Sequence, residues 1–148
     1  MDPVFQVTKD DPEMIAAIRK AHKTFPEFLR EADADLCRAI PVLEDAMVKI
    51  YVPTPADPEV GEHLWARYLG HEPEQDGRFN ALVLSSPRRV KKIVAKGEIL
   101  DFSIRSLSDW LYVSDGKAHG AFTVQVLRSR MTRAELKKHD AAYPFSFE

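Results

Sequence analysis

Cysteine is almost absent: Cys37 stands alone among 148 residues, so an intrachain disulfide and a thiolate-rich zinc cluster are both excluded. Glycine is nearly as scarce, six in all. No glycine-rich loop opens a helix, which removes the P-loop and the dinucleotide-binding fingerprint. Charge of one sign is missing too. The 21 basic and 23 acidic residues leave a formal net charge of −2, which argues against an electrostatically driven nucleic-acid or membrane binder. No run approaches the roughly 18 apolar residues of a membrane span. Met1-Asp2-Pro3-Val4 has neither the basic nor the apolar region of a signal peptide, so a cytoplasmic protein is expected. His22, His63, His71, His119 and His139 include no pair at metal-ligand spacing. No metal and no cofactor are expected.

What is present fits one domain over residues 1–148, with 45% apolar content for its core. Asp11-Pro12-Glu13 reads as a helix start, with an Asp cap and Pro in the first helical position. Met14, Ile15, Ile18, Ala21, His22 and Phe25 follow at helical spacing, which places His22 at the edge of the core. Thr24-Phe25-Pro26-Glu27 has the form of a capping box, so a break is expected near Thr24, with a second helix running to about Ala34. Cys37 reads as a small buried hydrophobe. Strands are expected over Met47–Val52, Glu62–Leu69, Arg78–Leu84 and from Gly97, with a short extended piece at Val4–Val7 and a short helix around Val90, Ile93 and Val94. Thr132-Arg133-Ala134-Glu135 is a second capping box and starts a C-terminal helix, which Pro144 closes. The order implies an α+β fold, helices covering a strongly curved, mostly antiparallel sheet of five to six strands, or a partly open small barrel.

The most informative stretch is Ser108 to Val126. Asp115-Gly116 suits a type I′ turn, which pairs Tyr112 with His119 and Val113 with Ala118. Continued as a hairpin, Leu111, Val113, Ala118, Phe122, Val124 and Val126 form an apolar face. The other face carries Trp110, Tyr112, His119, Thr123 and Gln125 and becomes the candidate recognition surface. Trp65, His63 and Asp109 complete the candidate binding set, with no catalytic residue assigned. Asp109 also reads as a turn-capping acid.

Thr24-Phe25-Pro26-Glu27-Phe28-Leu29, Val48-Lys49-Ile50, Glu62-His63-Leu64-Trp65, Gly97-Glu98-Ile99, Ser108–Tyr112 and Asp115–Gly120 together resemble the bacterial family named domain of unknown function 2314, over about residues 22–131. The resemblance implies a compact bacterial domain and no particular activity. The leading functional expectation is a non-enzymatic binding or accessory (immunity-type) module whose aromatic/His sheet face meets a protein partner or a small ligand. Its alternatives are a small enzyme with His/Asp acid–base chemistry and a weak nucleic-acid binder.

Overall fold

The computed structural model describes residues 10–143 and 145–147. Helix α1 spans Pro12–Leu36. Strands β1 (Asp45–Pro53), β2 (Gly61–His71), β3 (Phe79–Val83) and β4 (Ile99–Phe102) follow, then a 3-10 turn at Ile104–Ser106, β5 (Leu107–Ser114) and β6 (Lys117–Gly120). Helices α2 (Phe122–Ser129) and α3 (Arg133–Ala142) and the short β7 (Ser146–Phe147) complete the chain. The strands form one sheet in the order β4-β3-β2-β1-β5-β6-β7. Every pairing is antiparallel except β6 with β7. The α+β class stands, with an open sheet of seven strands instead of five to six. The piece expected at Val4–Val7 and the Pro144 stop lie outside the described residues.

α1 is one helix, not two. Asp11 caps it, its Oδ1 accepting from the Met14 amide at 3.2 Å, with Pro12 in the first turn. The helix continues through Pro26, although a mid-helix proline removes one backbone bond and costs about 3 kcal/mol. The offset is burial: Ala17, Ile18, Ala21, Phe25, Phe28 and Ala32 form a continuous stripe that packs on the sheet, while Pro26 stays on the exposed side. Phe25 and Phe28, flanking the proline, are 2% and 0% exposed, and burying each is worth about 2–3 kcal/mol. The Thr24 hydroxyl donates back to the Lys20 carbonyl at 2.6 Å, so it caps no second helix. His22 meets the Leu107 carbonyl at 2.6 Å through Nε2.

Three further expectations change. Cys37 is the exposed C-cap of α1. Val90–Val94 is a single turn, in which the Ile93 and Val94 amides both donate to the Val90 carbonyl. Its shape comes from Glu62 on β2, whose Oε1 accepts the amides of Arg88, Arg89 and Val90 at 2.8, 2.6 and 3.4 Å.

The third change concerns the hairpin. Its turn and register are as expected: Asp115 and Gly116 have φ of 51° and 73°, and Tyr112 pairs with His119. The returning strand stops at Gly120, however. Gly120 (φ 86°) and Ala121 (φ 54°) turn the chain into α2. Only glycine fits there, because a Cβ would stand 2.4 Å from the Trp110 carbonyl oxygen and 2.5 Å from its ring. Phe122, Val124 and Val126 therefore belong to a helix and not to the sheet face.

Both sheet faces are covered as a result. On one face Val48, Ile50, Leu64, Ala66, Tyr68, Phe79, Leu107 and Trp110 pack with the α1 stripe. On the other, Leu111, Val113, Ala118 and Ala121 form a second cluster, joined by Met47, Trp65, Val124, Phe145 and Phe147.

Candidate functional site

The hairpin aromatics form a continuous stack. Trp110 is 3% exposed, and its indole N–H donates to the Ala21 carbonyl at 3.1 Å and the Thr24 hydroxyl at 3.2 Å, both on α1. The indole, which the hairpin alternation puts on the candidate recognition surface, is thus covered by the helix. Tyr112 stacks on Trp110 (centroids 5.9 Å apart) and His119 on Tyr112 (4.7 Å). That three-ring ladder ends in half-buried Tyr112 and His119. Trp65 lies on the opposite face of the sheet, in the second cluster. The candidate residues therefore separate into two groups: the stacked Trp110, Tyr112 and His119 on one face of the sheet, and Trp65, His63 and Asp109 on the other.

The second group has company that the sequence pattern did not reveal. Strand alternation and the β1–β2 register put Lys49, Tyr51, His63 and Trp65 on one face, with Lys49 opposite Trp65 and Tyr51 opposite His63. Between β1 and β5 the register slips: Lys49 opposes Asp109, whereas Ile50 opposes Leu107. Ser108 is the extra residue of this bulge. A bulge redirects side chains that regular alternation would send apart, and here Ser108 and Asp109 both reach the Lys49 side. The Ser108 Oγ lies 2.7 Å from His63 Nδ1, and Lys49 Nζ donates to Thr123 Oγ1 at 3.1 Å.

Asp109 sits behind these groups, fully buried. Its Oδ1 accepts the amides of Trp110 (2.9 Å) and Phe122 (3.0 Å). Its Oδ2 accepts the Thr123 amide (2.8 Å) and hydroxyl (2.5 Å). The carboxylate thus caps α2 from another strand, since Ala121 at the N-cap has no side-chain acceptor. Thr123 links two charges, accepting from Lys49 and donating to Asp109.

Burial sets the protonation states. It pushes the Lys49 amine below its ordinary range, while the Asp109 charge opposes the shift. It pushes the Asp109 carboxyl up, against the Thr123, Lys49 and Trp110 contacts. His63 falls to about 4, through burial first and the Lys49 charge second, so its imidazole is neutral at neutral pH.

These groups line a cavity of about 260 Å³. Met14 and Ile18 of α1 supply its apolar wall, Lys49, His63, Ser108 and Thr123 its polar wall, and Asp11 its rim. Polar groups of four elements converge on a volume suited to a small molecule. Lys49 was missed as a site residue and Ser108 stood outside the binding set, whereas Thr123 was placed on the recognition face as a strand residue and enters the site from a helix. The signal for Lys49 was a lone cation between Val48 and Ile50 in a strand, and the bulge that brings in Ser108 leaves no local mark. Among the described residues, no three His, Cys, Asp or Glu side chains group as metal ligands. Nor is any helix long and apolar enough to cross a membrane, among those residues.

A family model described as an uncharacterized protein conserved in bacteria, DUF2314, matches residues 11–147. A Neisseria meningitidis serogroup B protein, provisionally named an ankyrin repeat protein, is 32% identical over 145 residues. That alignment covers 97% of this chain and 56% of the relative, so the chain spans little more than half of that protein's length. No solved structure matches.

Proposed function

The chain belongs to the bacterial family DUF2314, and from that premise we propose that it is a binding module whose ligand is a small anion seated against Lys49. The carrying observation is the cavity itself: an ammonium, a neutral imidazole and two hydroxyls face 260 Å³ of space beside an apolar wall. An ammonium has three donors, and the bond to Thr123 uses one of them. A carboxylate fits this chemistry, since it accepts from the remaining Lys49 donors while Met14 and Ile18 pack on a short apolar tail. Of the residues expected to bind, His63 lines this site and Asp109 supports it from behind. Trp110, Tyr112 and His119 shape the sheet under α1 in this reading.

A protein-partner reading draws its support from the relative's name, because ankyrin repeats are stacked helical units that serve as binding surfaces. The seven-stranded sheet contains no such unit among its described residues. In this reading the domain is a ligand-sensing companion to an interaction module.

The test is calorimetric titration of acetate, propionate, butyrate and succinate into the wild type and Lys49→Met. Saturable binding at micromolar to millimolar concentrations, about what a handful of ligand atoms can supply, weakened at least about tenfold by Lys49→Met, supports the reading. Equal heats for both proteins refute it.

A further inference from the structure

Ser108 and His63 are arranged for more than binding, and we propose that they form a nucleophile–base pair that cleaves a small carboxylate-bearing ester, with Lys49 holding the substrate's carboxylate. The inference rests on the anion-binding reading of the cavity for its substrate class and on separate geometry for its chemistry.

That geometry has three parts. The Ser108 hydroxyl and His63 Nδ1 are 2.7 Å apart, the hydrogen-bonded contact a serine needs in order to lose its proton. Both side chains line the cavity, so an acyl carbon seated there is within reach of Oγ. Ser108 is in place only because the β1–β5 register slips by one residue at that point. A regular strand would bury Ser108 and Asp109 on opposite faces, and bulges are frequent beside active sites.

The step balances with water as the only co-reactant. His63, in the tautomer carrying its proton on Nε2, accepts the Ser108 hydroxyl proton at Nδ1 as Oγ bonds to the acyl carbon. The bond from that carbon to the leaving oxygen breaks, and the departing alkoxide takes the proton from the imidazolium. Water then attacks the acyl-serine, passes a proton to His63 and releases the acid as Oγ recovers its hydrogen. Lys49 takes no part in these proton transfers and supplies donors to the substrate's anionic end. Asp109 cannot serve as the group that orients His63, because its four bonds are committed to Trp110, Phe122 and Thr123.

The groups with charge or titration around the imidazole are Lys49 and Tyr51 on β1, Asp109 on β5, and Asp11 where α1 begins. With burial and Lys49 holding His63 to about 4, the base is weak. Slow turnover is expected, with an acid limb near that value instead of near the ordinary histidine range.

The experiment uses the full chain with mono-4-nitrophenyl succinate and, as the neutral counterpart, 4-nitrophenyl acetate. Acylation is located by peptide mass mapping and nitrophenol release is followed with pH. The expected result is an acyl group on Ser108, a rate lowered on the order of 100-fold in Ser108→Ala, and an acid limb near pH 4. Lys49→Met should raise KM for the succinate ester by a larger factor than KM for the acetate. Absence of an acyl-Ser108 adduct in the wild type overturns the proposal, and that measurement needs no variant to fold. Full activity in a folded Ser108→Ala does the same. Carboxylates that bind in calorimetry without Ser108 acylation would refute the chemistry and keep the binding reading. Acylation of Ser108 with no carboxylate binding would keep the nucleophile and remove the role given to Lys49.

Discussion

His63 gives the fold a pH dependence whose size follows from its surroundings. In the unfolded chain a histidine titrates near about 6.5, and in the folded protein His63 is held to about 4. Between those values the unfolded state binds a proton that the folded state does not, so stability falls as pH is lowered through that window and is fully present above it. From about pH 7.5 to about pH 5, the two values give a loss of ~2 kcal/mol, approaching ~3 kcal/mol at still lower pH. Carboxylates titrate nearby, so the wild type alone is not diagnostic. The useful quantity is the difference between wild type and His63→Gln, whose amide keeps a hydrogen-bonding partner for Ser108 and carries no titration. Urea denaturation at both pH values should show the variant losing ~2 kcal/mol less than the wild type. Parallel losses would mean that His63 is neither buried nor near Lys49 in the way described.

Asp109→Ala strips four donors of their shared buried acceptor and leaves Lys49 without its counter-charge; a loss of about 3–5 kcal/mol in denaturation is expected, and less than about 1 kcal/mol would remove its capping role. Gly120→Ala should cost more than Gly116→Ala, although both have positive φ, because a Cβ at 120 meets Trp110 while one at 116 meets nothing within 4 Å. Equal thermal midpoints for the two variants would contradict the close approach. Trp110→Phe removes two hydrogen bonds to α1 and should lower stability by about 1–3 kcal/mol in urea, with no change expected if the indole faces solvent.

Local chemistry made much of the fold readable. Asp11-Pro12 starts α1, Thr132 and Glu135 close a reciprocal cap on α3, and Asp115-Gly116 sets the hairpin register. What could not be read depends on contacts between distant residues. Pro26 continues a helix because Phe25 and Phe28 find a core. The run Thr123-Val124-Gln125-Val126, β-branched at three of its four positions, becomes helical because Asp109, fourteen positions before Thr123, supplies the cap. The candidate site was legible only in part for the same reason. His63 and Asp109 were singled out by type, but their grouping with Lys49, Ser108 and Thr123 requires a register slip that no short motif encodes.

The most direct measurement of the cavity's role is an NMR titration of the His63 ring with a small carboxylate, repeated across pH. A bound anion beside Lys49 offsets the cationic field that, together with burial, depresses His63. The account predicts a saturable shift of the His63 resonances and an imidazole pKa that rises from about 4 when the anion is bound. Resonances of His63 that do not respond at saturating carboxylate, or a response confined to His119 and Tyr112, would contradict it.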